Sequence, residues 1–225
     1  MTAAPAGMPI RPAATVLAIR PHADGPRVLM GQRGAGAAFM PDKFVFPGGA
    51  VDADDALVPL SPGLDALCHT RLSDTNVPPA ALAAAAIREM WEETGLMLGR
   101  PGTWPGAVPT DWAGFAARGM VPSADGLRFI FRAITPPGRS RRFDARFFMV
   151  DAAGIAGDPD NFEGACDELR CLQWVPLAEA RALNLPFITE VVLAEAARIM
   201  RTGEAQRFVP FFDSSGPASI FRQIP

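Results

Sequence analysis

The chain has 225 residues, 49% of them apolar and 20% charged, with a net charge of −3. That length supports one domain with a real core and is marginal for two. The slight acidity gives no reason to expect a nucleic acid held through its phosphates. Three cysteines, Cys68, Cys166 and Cys171, make no CxxC-type metal pattern and suit a reducing compartment. No apolar run reaches the roughly 18 residues that span a bilayer. The N-terminus lacks the basic start and unbroken apolar stretch of a signal peptide, and the last residues are not a peroxisomal tripeptide. A cytoplasmic protein without membrane or nucleic-acid partners is expected.

Residues 1–12, rich in Ala and Pro, read as a flexible N-terminal arm. Ala14–Arg20 and Arg27–Arg33 are β-rich runs, and the PHADGP between them predicts a hairpin whose turn holds His22 without a role. Gly34–Pro41 is a loop leading into a short buried strand over Lys43–Phe46, after which Pro47-Gly48-Gly49 turns the backbone. The segment 56–79 mixes Pro, Ser, Asp and Leu and is expected to fold as a small lid or helix, with Cys68 and His69 structural. Pro78-Pro79 marks a helix start. That helix carries AALAAAAIREMWEETGL at Ala80–Leu96, with Gly95 placed as a left-handed cap.

Leu96–Leu98 follows as a strand and Asp111–Arg118 as a short helix. Leu127–Ile134 and Phe143–Val150 are strands, with Phe143 and Phe148 read as core. The connector Thr135–Arg142 carries Arg139, Arg141 and Arg142, either a solvated face or a bidentate clamp for phosphate. The acidic loop Asn161–Arg170 precedes a strand at Leu172–Val175, and Leu185–Arg201 has helical spacing that closes at Gly203. The apolar tail Phe208–Ile224 is expected to pack on the sheet or on a second subunit, which would make a homodimer.

The helix at Ala80–Leu96 holds the chemistry. Glu89, Glu92 and Glu93 stand at i, i+3 and i+4 and share one face, while Ala83, Ile87, Met90 and Thr94 lie opposite and can pack on a sheet. Like charges at that spacing oppose folding, and clustered carboxylate oxygens suit Mg²⁺ or Mn²⁺. A triplet alone is more simply a solvated surface. The metal reading gains from Arg88, which can pair with an acid, and from Gly48-Gly49, which lets backbone approach an ion or a phosphate closely.

Arg88 Glu89 Met90 Trp91 Glu92 Glu93 Thr94 Gly95 Leu96 resembles the second half of the box that defines the Nudix hydrolase superfamily, with Gly49 matching its first glycine. Asp55 falls where the box has its first glutamate, and it precedes Arg88 by 33 positions rather than eight, an insertion of about 25 residues. An interrupted box, together with AAFMPDKFVFPGGAVD at Ala37–Asp52 and ITPPGRSRRFDARFF at Ile134–Phe148, is similar to the acyl-CoA diphosphatase branch. The resemblance implies an α+β fold, an α/β/α sandwich around a central mixed β-sheet, as a single domain over residues 13–225. It also implies a small-molecule nucleotide substrate: coenzyme A or acyl-CoA, cleaved to 3′,5′-ADP and (acyl-)4′-phosphopantetheine by metal-activated water.

On that resemblance Glu89, Glu92 and Glu93, with the Gly48 carbonyl, would hold Mg²⁺ or Mn²⁺. Arg88 would anchor the turn through Asp55. The general base is left open among Glu89, Glu163 and Glu168. Arg33, Gly48, Gly49, Arg139, Arg141 and Arg142 are assigned to substrate binding. Two alternatives stand beside this: a pyrophosphatase for ADP-ribose or nucleoside-diphosphate sugars, and an inactive nucleotide-binding module.

Overall fold

The computed structural model describes residues 8–225. Strands β1 (Ile10–Arg20) and β2 (Arg27–Arg33) form the expected hairpin through Ile19↔Val28 and Arg20↔Arg27. Strand β1 begins at Ile10, so residues 10–12 are sheet rather than arm; residues 1–7 of the expected arm lie outside the described residues. The cause is non-local: Ile10 to Ile19 pair in parallel with a distant strand, Arg142 to Asp151, and local composition cannot show that partner.

After β3 (Phe44–Val45), the expected glycine turn is instead a strand, β4 (Gly48–Ala50), which pairs antiparallel with β1 through Thr15↔Gly48 and Ala13↔Ala50. The inserted segment folds as a 3₁₀ turn at Ala53–Leu57 and a short helix, α1 (Ala66–Leu72). Its Cys68 thiol takes the Phe129 N–H at 3.1 Å, and burial pushes its pKa up to about 11. Helix α1 therefore braces the sheet. It is not a lid, because no residue of 56–79 borders the large cavity described below.

Helix α2 (Pro79–Thr94) starts where Pro78-Pro79 predicts. It is followed by β5 (Met97–Pro101), α3 (Ala113–Ala117), β6 (Met120–Pro122), β7 (Arg128–Ile134), β8 (Arg142–Asp151) and β9 (Ile155–Ala156). Strand β10 (Leu169–Pro176) begins within the expected acidic loop, and α4 (Phe187–Thr202) closes at Gly203. The tail is a hairpin of two strands, β11 (Val209–Asp213) and β12 (Ile220–Ile224), added to the sheet edge.

The main sheet runs β10-β2-β1-β8-β7-β11-β12, with β3 on β2 and β4 on β1. It is mixed: β1–β8 and β7–β11 are parallel and the other pairs antiparallel. Side chains alternate across it. Ala14, Val16, Phe129 and Phe148 pack under α2 on one face, and Leu17, Ile19, Phe131 and Phe147 under α4 on the other. This is the α/β/α sandwich. A smaller sheet, β6-β5-β9, covers the end of α2. No helix among the described residues is long and apolar enough to cross a membrane.

Candidate active site

The site grows from the second half of α2. Ala83, Ile87, Met90 and Thr94 pack inward, but Ala81 to Ala86 are buried all round, so this is a central helix rather than a surface one with a single apolar face. Methyl side chains let neighbouring backbone close on every side. Beyond Pro79 and Ala80 at its start, only the last two turns reach solvent, and the charges sit there. Gly95 takes the left-handed conformation at φ 76° and its N–H bonds the Trp91 carbonyl at 2.8 Å. A Cβ on Gly95 would stand 2.9 Å from the Gly164 backbone, so that loop packs directly against the helix cap. The Cys166 N–H then donates to the Glu92 carbonyl at 2.9 Å. This docking settles where the two acids of the loop go. Glu168 lines the cavity beside α2, whereas Glu163 is exposed and outside it.

Arg88 is 4% exposed and fully engaged. Its Nε and Nη2 donate to the two Asp55 carboxylate oxygens at 3.0 and 3.1 Å, as expected from the sequence, and Nη2 also reaches the Ala50 carbonyl at 2.9 Å. Its Nη1 donates to Glu89 Oε1 and Glu92 Oε2, both at 3.0 Å. Burial works against its charge, but Asp55, Glu89 and Glu92 outweigh it and hold the pKa above the ordinary value.

The three glutamates are short of solvent. Burial first, and then the charges of Glu92 and Glu168, push Glu89 up to about 7 against the pull of Arg88. Burial raises Glu92 as well. Glu93, 2% exposed, is raised well above its usual range by burial and the Glu89 charge, with further contributions from Glu168. Its Oε2 accepts the Gly48 N–H at 2.8 Å, while its buried Oε1 has no partner among the described residues. Strand β4 reaches this helix because it carries no side chain there: a Cβ on Gly49 would meet Glu89 Oε1 at 2.4 Å.

Among the described residues, no three His, Cys, Asp or Glu side chains are already gathered into a cage for an ion. The sequence led us to expect convergence. Arg88 Nη1 instead bridges Glu89 and Glu92, donating to an oxygen of each. The donor set still fits a hard divalent cation. It consists of oxygens, the carboxylates are desolvated, and one buried oxygen is unpaired.

A cavity of about 440 Å³ opens beside these groups. Its acidic end holds Glu89, Glu92, Glu93 and Glu168; elsewhere its wall includes Arg33, Arg141, Phe39 and Phe143. Arg33 contributes a buried Nε with no partner among the described residues. The arginine cluster is split. Arg141 lines the cavity and Arg139 is exposed outside it. Arg142 is buried and binds the Thr135, Ser214 and Ser215 carbonyls, so it holds the β11–β12 loop rather than a substrate. Adjacent strand residues point to opposite faces. Phe143, read from sequence as core, is half-buried in the wall, edge-on to Phe39 at 5.5 Å. Thr15, Phe39 and Cys166 were missed; the alternation of Ala13 and Thr15 on β1 with Ala145 and Phe147 on β8 was the available signal for Thr15, and the other two lie on loops.

No family model matches the chain. A solved NUDIX hydrolase from Alicyclobacillus acidocaldarius is 30% identical, with a TM-score of 0.64 over 88% of this chain and 98% of that one. A Caenorhabditis elegans protein bearing the name nudix hydrolase 7 is 31% identical over 160 residues, 66% of this chain and 46% of the relative, so the match spans less than half of that protein. The NUDIX domain of Shewanella oneidensis NrtR, solved with ADP ribose, is 11% identical at a TM-score of 0.50 over 85% of this chain and 88% of that one, a likeness of fold alone. An identity of 30% sustained across nearly the whole of a solved relative, on the sheet and central helix described above, places the chain in the Nudix hydrolase superfamily.

Proposed function

We propose that the protein hydrolyses a diphosphate bond in a nucleotide conjugate, and that the conjugate is coenzyme A or an acyl-CoA, cleaved to 3′,5′-ADP and (acyl-)4′-phosphopantetheine. One observation carries the chemistry: three desolvated glutamates beside a glycine strand, one with a buried oxygen that nothing among the described residues satisfies. The CoA assignment rests on the interrupted box and on the sequences flanking it.

Glu89, Glu92 and Glu93, with the Gly48 carbonyl, would hold Mg²⁺ or Mn²⁺. Such ions, when bound, neutralise phosphate oxygens and lower the pKa of water. The chain's own residues supply the rest. Arg88 fixes the last turns of α2 against β4 and Asp55. Glu168, at the same acidic end of the cavity, receives the proton of the attacking water at its carboxylate; its charge and proximity already act on Glu93. Arg33 and Arg141 take a second phosphate group of the substrate. The three free cysteines are in keeping with the cytoplasm.

Glu93→Gln tests the reading: turnover of CoA with Mg²⁺ should vanish while the circular dichroism spectrum stays that of the parent. Undiminished Mg²⁺-dependent turnover would overturn it. CoA and dephospho-CoA should differ in kcat/KM; equality would remove the second phosphate from the account, and turnover of ADP-ribose in preference to both would replace the substrate.

A further inference from the structure

The cavity wall changes character in three steps along the sheet. In parallel register, Thr15 on β1 lies beside Phe147 on β8, Ala13 beside Ala145, and Arg11 beside Phe143. Strand β4 extends the first two rows with Gly48 and Ala50, and all of these residues line the cavity. The first row adjoins the acidic end, because Gly48 donates to Glu93, whose other carboxylate oxygen is the buried one without a partner among the described residues. The second row, Ala50, Ala13 and Ala145, carries only methyl groups, so the sheet surface is recessed between the rings of Phe147 and Phe143. The third is aromatic and cationic: Phe39, Arg11 and Arg141 line the cavity with Phe143. Four residues separate Phe147 from Phe143, roughly 13 Å of strand.

Phe143 is held as a fixed platform. Its N–H donates to Thr135 Oγ1 at 3.1 Å, and its carbonyl accepts the Thr135 N–H at 2.9 Å. Phe39 meets it edge-on, at 5.5 Å and 70°, from a loop whose Ala38 carbonyl accepts the Ser140 hydroxyl at 3.3 Å. Both rings are half-buried in the cavity wall.

We infer that the recess over Ala13 and Ala145, bounded by Phe143 and Phe39, is the slot for the purine ring of the substrate. The inference rests on the nucleotide-conjugate reading above and adds to it which half of the conjugate lies where. With the diphosphate at the glutamates, the span from the first row to the third leaves room for a ribose and then a base. A flat ring fills a recess one side chain deep, where a bulkier group would strike the phenylalanines on either side. Aromatic faces and arginine planes both stack on bases, whatever the base. The other half of the conjugate is a flexible chain of amides, which gains little from a flat slot beside cations. Phe143 and Phe39 are therefore specificity residues for the nucleoside half, and the other half points away from them.

Titration calorimetry on the full chain with Mg²⁺ tests this without turnover, using 3′,5′-ADP, 4′-phosphopantetheine and ribose 5-phosphate as probes. Phe143→Leu should bind 3′,5′-ADP roughly 5- to 100-fold more weakly than the parent, and Phe143→Tyr, which keeps the ring, should restore most of that loss. Phe39→Leu, a change on a loop that spares the sheet, should weaken 3′,5′-ADP in the same direction. Ribose 5-phosphate, which has no base, and 4′-phosphopantetheine should not distinguish the variants from the parent. Equal 3′,5′-ADP affinity in the parent, Phe143→Leu and Phe39→Leu would overturn the slot and leave the hydrolase reading intact. Weaker 4′-phosphopantetheine with 3′,5′-ADP unchanged would overturn it as well, by seating the other half there. Binding of 3′,5′-ADP that depends on Phe143, in a protein that hydrolyses neither CoA nor ADP-ribose, would uphold the slot and remove the proposed reaction.

Discussion

Two buried arginines, Arg88 on α2 and Arg146 on β8, are provided for in opposite ways. Arg88 has Asp55, Glu89 and Glu92 around it, more negative charge than it can neutralise, and its pKa is held up. Arg146, 1% exposed, shares the single carboxylate of Asp144 with Arg132, and burial lowers its pKa to about 10. The first cluster is rich in anions and the second is short of them. A fold selected for stability alone would even out this mismatch within one layer. The surplus of carboxylate lies beside the cavity, and the deficit lies away from it. The surplus is therefore the part that a cation can relieve.

Breaking each pair should expose the difference. Arg88→Ala leaves Asp55 buried without a counter-charge and should cost about 3–5 kcal/mol, read from urea unfolding. A loss under about 1 kcal/mol would mean that Asp55 is satisfied by other means. Next in size is the charge surplus itself. Because Glu89 and Glu93 titrate higher in the folded chain than in the unfolded one, the stability they lend is complete below the unfolded value near 4.3 and is lost as pH rises through about 7 for Glu89. Metal-free Glu89→Gln should thus match the parent below about pH 4 and exceed it by ~1–3 kcal/mol at pH 8. A difference constant with pH would show that Glu89 is not destabilised by its setting.

Gly49→Ala probes the same end sterically. Its new Cβ meets the free end of Glu89, a flexible group, so stability should fall by no more than ~1 kcal/mol while turnover drops well below the parent's. Unaltered turnover would mean that Glu89 has room to move. Smallest is Arg146→Met. An apolar side chain of similar length replaces an under-compensated charge, and the stability should shift by less than ~1 kcal/mol in either direction. A loss approaching that of Arg88→Ala would erase the contrast between the two sites.

What the sequence made legible follows the range of the interactions. The helix over Ala80–Leu96, its Gly95 cap and the shared face of Glu89, Glu92 and Glu93 are local, set within one or two turns. The Arg88–Asp55 pair was legible only through the family resemblance, since the two are 33 residues apart. Strands β4, β11 and β12 were not legible as strands. Gly48–Ala50 becomes one only because β1 offers it an edge, and β11 joins the sheet in parallel beside β7, far away in sequence. That Glu168 and not Glu163 lines the cavity goes with Gly164 fitting against Gly95, a contact of two bare backbones that no pattern announces. Arg142 looked like its neighbours Arg139 and Arg141, but two of its three carbonyl partners are more than 70 residues away. The helix itself was read as one-sided because a run of alanines does not say how many surfaces will close on it.

The central claim is that the end of α2 gathers divalent cations through Glu93 and its neighbours. Titrating Mn²⁺ into the parent and into Glu93→Gln while following the signal of free Mn²⁺ by electron paramagnetic resonance tests it without any substrate. The parent should deplete the free-ion signal until its sites fill, and Glu93→Gln should leave the signal close to that of buffer. Equal depletion by both proteins would contradict the account.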